Sequence, residues 1–399
     1  MTMGEDTLRI AQFITQYPYP EDAAGVEEYY CAGAERVAKE LSEALVDDGH
    51  DVHVFTSAAG RSYEEQTQNG VTVHRSPSIT AINTTQIPPT IPLDGLQEEF
   101  DIVHGHNSTP PGMLAAYARS VLDELPFVIT HHGGEHYEPH GGLVRRGGLF
   151  LYTRVLMETV FGHAETVVTP SAGYRAESRV LDSPAVAEMT IRNGVDFETF
   201  SHNGSTKSAK TALGFDHDEF LILYLGAHHP RKGPDVLVDA FAEFSTAVAD
   251  AHLVLAGSGD LTPQLRGAVD DHDIASSVTF PGYVSEAIKP TYFAAADLFV
   301  LPSTTGGAEM FPLVILEAAA AGTPVVTTDF PTLRPVVAEH EIGNLVEPGN
   351  ATALAQTLAD LYDGSALETY GENAREMALE HRWSAVADEY EQLYRTVIA

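Results

Sequence analysis

Lysine is scarce in this chain of 399 residues, occurring only at Lys39, Lys207, Lys210, Lys232 and Lys289. Basic residues number 22 against 57 acidic ones, which leaves a formal net charge of −35 at pH 7. No broad basic face is evident, so nucleic acid is not an expected partner. Cysteine is almost absent. Cys31 stands alone, which excludes an intrachain disulfide and fits a reducing compartment. No apolar run approaches the ~20 residues that a membrane span requires. The start, Met1-Thr2-Met3-Gly4-Glu5-Asp6, is not a basic signal region. These absences lead to the expectation of a soluble cytoplasmic protein, with contact at the cytoplasmic membrane face left open.

The acidic excess is spread along the chain and not confined to a tail. At ordinary ionic strength such a charge repels itself. At molar salt the Debye length falls to about 3 Å and the repulsion is screened. The balance resembles that of proteins from salt-accumulating archaea, and a halophilic cytoplasm is the expected setting.

With 44% hydrophobic residues the chain can build two sizeable domains. Buried strands are expected at residues 8–14, 51–55, 101–106, 127–132 and 166–170. They restart at 220–225, 252–256, 278–280, 298–301 and 323–328. Helical stretches alternate with them, so two α/β halves with parallel sheets are predicted. Asn193-Gly194-Val195-Asp196 ends the first half, and the polar stretch Ser201 to Ser208 reads as a linker. The expected division is 1–195, 196–380 and a C-terminal helix, 381–399.

Glu309 and Glu317 are eight residues apart, on either side of Met310-Phe311-Pro312-Leu313. The apolar run after Pro312 predicts a buried helix with Pro312 at its first position. Gly322 stops it. If helical throughout, the spacing would span about 12 Å, the scale of a nucleoside diphosphate sugar. The N–H groups of Met310, Phe311 and Leu313 lie between the carboxylates, where a diphosphate would be favoured. Carboxylates accept strong hydrogen bonds from a ribose diol or sugar hydroxyls.

This pattern resembles the Glu-x7-Glu motif of glycosyltransferase family 4. Pro230-Arg231-Lys232-Gly233, Ala256-Gly257-Ser258-Gly259 and Phe280-Pro281-Gly282-Tyr283-Val284 follow Asn193-Gly194-Val195-Asp196 in the family's order. The resemblance covers nearly the whole chain. It implies the GT-B fold, two Rossmann-like domains with parallel sheets facing across an interdomain cleft. It implies a retaining glycosyltransferase, hexosyltransferase-like, that takes a nucleotide sugar as co-substrate and needs no obligatory cofactor or metal. The acceptor is a glycan, a lipid-linked compound or a small molecule. The C-terminal helix is expected to pack back on the first domain.

By resemblance, Glu309 meets the transferred sugar and Glu317 the ribose hydroxyls. Arg231 and Lys232 offset charge on the departing diphosphate, and His132 lies near the donor sugar. Gly25, Gly257 and Gly259 allow close backbone approach, and Tyr283 and Val284 line the base pocket. The chain also departs from the family. Ala227 stands where an arginine is usual, leaving His228 or His229 as partial substitutes. Pro312 stands where a glycine is usual. Two other readings stay open: a nucleotide-sugar epimerase of GT-B type, and a non-catalytic sugar-nucleotide-binding protein.

Three further patterns compete. His132-Gly133-Gly134-Glu135-His136 fits an inverted zinc-peptidase motif, but two glycines after a strand oppose the helix it needs. Asp216-His217-Asp218 and Asp271-His272-Asp273 imitate a metal-nucleotide motif, yet each precedes a strand. Residues 143–154 mix arginines with apolar side chains, a composition suited to an anionic headgroup or to a plain acceptor-side loop.

Overall fold

The structure, a computed structural model, describes residues 7–399 except 21–22, 24–28, 30, 83–84, 92–97, 134–146, 148–149, 177, 202–203 and 307–308. The chain divides into two compact units, residues 1–194 with 383–399, and residues 195–382. Gly25, Glu135, His136 and the arginines at 145 and 146 fall outside the described residues.

The first unit carries strands β1 (Arg9–Phe13), β2 (Asp51–Ser57), β3 (Glu64–Gln68), β4 (Val71–Ser76), β5 (Thr80–Ile82), β6 (Thr85–Ile87), β7 (Ile102–Asn107), β8 (Phe127–His131), β9 (Thr166–Thr169) and β10 (Glu188–Thr190). Eight of these form one sheet in the order β10-β9-β8-β7-β1-β2-β4-β3, while β5 and β6 pair separately. Every pairing in the large sheet is parallel except β3 with β4. The central strands are buried along their length, as sheets covered on both faces require. The polar edge strand β3 was not foreseen. It leads into β4 through Asn69 and Gly70, both at positive φ (47° and 86°), the backbone that a tight two-residue hairpin needs.

Helix α1 (Gly33–Asp47) buries Val37, Leu41 and Leu45, spaced four residues apart on one face. Burying each contributes about 1.5–3 kcal/mol. Helices α2 (Pro110–Asp123) and α3 (Met157–His163) follow in the same unit. The C-terminal helix, Trp383–Ile398, packs against α1 within this unit. Its Tyr394 hydroxyl lies 2.7 Å from His104 Nδ1, and its Tyr390 hydroxyl 2.7 Å from Thr130 Oγ1. Gly194 lies so close to the Trp383 ring that a Cβ would meet it at 2.6 Å.

The second unit holds α4 (Phe197–Phe200), α5 (Thr206–Leu213), β11 (Phe220–Leu225), α6 (Pro234–Ser245), β12 (Ala251–Ala256), α7 (Thr262–Asp271), β13 (Val278–Gly282), α8 (Lys289–Ala295), β14 (Leu298–Leu301), α9 (Leu313–Ala321), β15 (Val325–Thr328), α10 (Arg334–Val337), β16 (Gly343–Val346), α11 (Ala351–Asp363) and α12 (Ala366–Glu380). Its sheet is wholly parallel, in the order β13-β12-β11-β14-β15-β16. Counted from β11, this is the 3-2-1-4-5-6 order of the doubly wound fold.

Three boundary readings differ, one being that the C-terminal segment of the first unit starts at Trp383 and not at residue 381. Val195 pairs with Arg382 and its N–H donates to the His381 carbonyl at 2.8 Å, so it belongs to the second unit. The polar stretch 201–208 is not the connection between units. Its end already lies in α5, where Ser205 caps the first turn by accepting from Ser208 N at 3.2 Å. Among the described residues, no helix is long and apolar enough to cross a membrane.

Candidate active site

In a doubly wound sheet, ligands bind beyond the carboxyl ends of the strands where the strand order reverses. In the second unit that point lies between β11 and β14. The loop after β11 runs from Gly226 to Gly233, and the loop after β14 runs from Pro302 to Pro312. The two are fastened together. Thr304 N donates to the Arg231 carbonyl at 2.9 Å, and Thr304 Oγ1 to the Pro230 carbonyl at 2.9 Å. Gly233 sits at φ +64°, and a Cβ there would stand 2.1 Å from the Pro302 carbonyl oxygen. Only glycine allows that approach.

This fastening sets Lys232 beside Glu309. Lys232 Nζ lies 2.5 Å from Glu309 Oε1, and Ser303 Oγ donates to the same oxygen at 2.7 Å. Glu309 is 1% exposed, so its charge is balanced locally and not by water. Burial, with the Glu309 charge added, raises the Tyr224 hydroxyl well above its ordinary pKa. That hydroxyl stays protonated and donates to the Ala227 carbonyl at 2.7 Å. Arg231 is exposed and has no ion-pair partner among the described residues.

Helix α9 starts one residue later than expected. Pro312 is its N-cap, with extended backbone (φ −66°, ψ 133°), and Phe311 before it takes φ +58°. A left-handed conformation is costly for a bulky side chain. Phe311 is held in it as a buried residue whose ring lies 5.2 Å from that of His381. Helical rise therefore does not describe the Glu309–Glu317 interval. Leu313 and Val314 open the helix with no side-chain cap, an arrangement that favours an anion. Glu317, in the second turn, is 2% exposed and its Oε1 lies 2.8 Å from Lys289 Nζ.

Comparison with known proteins now gives the family. The profile of "Glycosyltransferase Family 4" matches residues 32–199, and that of "Glycosyl transferases group 1" matches residues 205–377. A phosphatidyl-myo-inositol mannosyltransferase of Mycobacterium leprae is 31% identical over 304 residues, covering 75% of this chain and 74% of the relative. The chain belongs to the family-4-like glycosyltransferases. A D-inositol 3-phosphate glycosyltransferase of Pseudarthrobacter chlorophenolicus is 30% identical, across 93% of this chain and 90% of its own. The sucrose-phosphate synthase structure from Thermosynechococcus elongatus superposes with a TM-score of 0.77 at 25% identity, covering 98% and 99% of the two chains. The fold is thus GT-B, two Rossmann-like domains with parallel sheets, and the protein is an enzyme.

The remaining residues of this glycosyltransferase fall unevenly. Gly257 (φ +120°) and Gly259 are required by packing between loops: a Cβ on Gly257 would lie 1.9 Å from the Gly226 carbonyl oxygen, and one on Gly259 2.5 Å from that of His228. Tyr283 is 80% exposed, whereas Val284 and Met310 are buried and Leu313 is half-buried. His228 cannot stand in for the usual arginine. It is buried against Thr262 Oγ1 at 2.8 Å, and burial together with Arg266 lowers its pKa, which keeps it neutral. His229 instead caps the turn Pro230–Lys232, accepting from Arg231 N at 3.2 Å.

In the first unit, His132 is half-buried and its Nε2 lies 3.1 Å from His106 Nδ1. The His106 ring packs 4.3 Å from that of His104, which bonds Thr130 and Tyr394. Burial lowers His104 and His132 to about 3, with neighbouring histidines adding to the shift. Burial also carries His106 well below its ordinary value. All three rings are neutral at pH 7, so they act by hydrogen bonding and not by charge. The sequence pointed to His132, but not to the support that Tyr390 and Tyr394 give from the far end of the chain.

Among the described residues, two groups could offer three metal ligands each. His53, His74 and Glu98 converge within 4.8 Å, but Arg9 already pairs with Glu98 at 3.2 Å and the two rings meet at 3.0 Å. Asp216, His217 and Asp218 are exposed in a turn closed by Asp218 N on Asp216 Oδ1 at 3.1 Å.

Proposed function

We propose that this glycosyltransferase is a retaining enzyme that moves a sugar from a nucleoside diphosphate donor to an acceptor hydroxyl. The observation that carries the reading is the Lys232–Glu309–Ser303 cluster at the strand-order reversal, beside the open amino end of α9. A buried carboxylate there would repel a diphosphate unless a cation stood between them, and Lys232 supplies that cation. Arg231 adds the second charge. With Ala227 and a neutral His228 nearby, these two residues and the N–H groups of Leu313 and Val314 carry the task of stabilising the leaving group. Met310 and Phe311 shape the turn that leads to them.

Glu309 orients the transferred sugar and Glu317 accepts from the ribose diol. The acceptor hydroxyl attacks on the face from which the diphosphate departs. The bond from the anomeric carbon to phosphate oxygen breaks, the bond to acceptor oxygen forms, and the acceptor proton passes to the phosphate oxygen. No separate protein base is needed. His132, held by His106, serves as a neutral hydrogen-bonding group. Two of the relatives above carry inositol-bearing acceptors in their names, one of them a phospholipid. That favours a small hydroxylated or lipid-linked acceptor for this chain. Exposed Phe150 and Leu151, in sequence after two arginines, suit transient contact with a membrane surface.

Incubating the purified protein in multimolar KCl with a panel of nucleotide sugars, and following products by mass spectrometry, tests the reading. Transfer to an added inositol or phosphoinositide, with the anomeric configuration kept, is the expected result. Epimerised donor without transfer, or binding without turnover, would refute it.

A further inference from the structure

Lys289 is one of five lysines in the chain, and it is only 3% exposed. An ammonium group is rarely buried so deeply without partners. Lys289 opens helix α8, and its Nζ lies 2.8 Å from Glu317 Oε1. The same nitrogen lies 3.1 and 3.3 Å from the two carboxylate oxygens of Glu286. The Phe200 ring, from α4, stands 5.6 Å from it. Three elements thus converge on one cation, and the cation meets the second glutamate of the Glu-x7-Glu pair.

Glu317 faces a demand that Glu309 shares: its carboxylate needs a partner in a site almost closed to water. An unpaired buried carboxylate is strongly disfavoured. Lys289 answers that demand and also fixes the carboxylate's rotation by binding one defined oxygen. An ionised carboxylate offers about four lone-pair directions, and Lys289 occupies one of Oε1. Glu286, whose side chain is 43% exposed, pairs with the same ammonium.

We infer that Lys289 is a positioning residue for nucleotide recognition: by pairing with Glu317 it orients that carboxylate to accept from the ribose hydroxyls. Through Glu317 it sets the preference for ribonucleoside over deoxyribonucleoside diphosphates. The inference rests on the assignment of Glu317 to the ribose made above. Lys289 itself touches no ligand in this scheme.

The test uses the full chain in high salt. Wild type, Lys289→Met, Glu317→Gln and the double variant are titrated with whichever of UDP, GDP and ADP the wild type binds most tightly, and with its 2′-deoxy counterpart. Loss of a charge-assisted bond costs about tenfold or more in affinity, so the wild type should prefer the ribonucleotide by about that factor. In Lys289→Met the preference should collapse to the level of Glu317→Gln, and the double variant should fall no further. A purely structural lysine, or one that contacts phosphate directly, would weaken both nucleotides alike and leave their ratio intact; that result overturns the inference. Should Lys289→Met fail to fold, Lys289→Gln is neutral, keeps an N–H, and is read in the same way. If Glu317→Gln loses the preference and the Lys289 variants keep it, only the role of Lys289 fails. If wild type shows no preference, or Glu317→Gln keeps it, the ribose assignment fails first and the role of Lys289 with it.

Discussion

Lys232→Met should destabilise the second unit and disable transfer, and the two effects can be separated. Glu309 is 1% exposed and its Oε1 receives only Lys232 Nζ at 2.5 Å and Ser303 Oγ at 2.7 Å among the described side chains. Removing one partner of a buried pair costs about 3–5 kcal/mol, because the other charge is left uncompensated. The Lys232 side chain is 26% exposed, so water replaces part of the lost interaction and the low end, about 3 kcal/mol, is expected. For a unit of this size, that lowers Tm by roughly 6–12 °C. Glu309→Gln should cost less, since the surviving ammonium reaches solvent. The double variant removes both charges and should recover much of the loss, giving a coupling of about 1–3 kcal/mol. Thermal unfolding in high KCl measures all three. A double variant destabilised by the sum of the single losses would show that Lys232 does not compensate Glu309, and the electrostatic account of the site would fall with it.

Other outcomes are equally open to measurement. Glu317→Gln should weaken nucleoside diphosphate binding about tenfold or more, whereas Glu309→Gln should bind it nearly normally and lose turnover of the donor; the reverse pattern in titration and kinetics would exchange their roles. Stability should rise steeply with KCl, since the −35 charge repels itself when unscreened; a Tm that is flat from low to multimolar salt would contradict the halophilic expectation. His104 and His132, near 3 when folded against about 6.5 in the unfolded chain, bind more protons when unfolded. Stability therefore falls as pH drops from about 6.5 toward 3, and imidazole NMR signals from these rings should not titrate between pH 5 and 8; a midpoint near 6.5 for either would refute their buried, neutral state. Gly257→Ala should unfold or severely destabilise the second unit, because its Cβ would overlap the Gly226 carbonyl at 1.9 Å; near-normal stability would show that the loops can separate.

The sequence revealed most where one physical demand dominates. Buried parallel strands must be apolar along their whole length, so runs such as Phe220–Leu225 and Leu298–Leu301 were readable without any partner in view. Strand β3 escaped because Glu64–Gln68 lies at a sheet edge and alternates polar side chains; the Asn69–Gly70 turn was the available signal. The polar stretch 201–208 misled for the opposite reason: Ser205 is polar because it caps α5, not because it links domains. In the site, residue types were legible but their partners were not. Nothing in the spacing of Lys232 and Glu309, 77 residues apart, shows that Thr304 and Gly233 bring their loops together. Gly257 and Gly259 looked like ligand contacts, yet carbonyls of the neighbouring loop already demand glycine at both positions. A glycine motif in this fold therefore reports first on how closely two strand-end loops must pack. The same packing fixes where Arg231 and Lys232 emerge from the loop after β11.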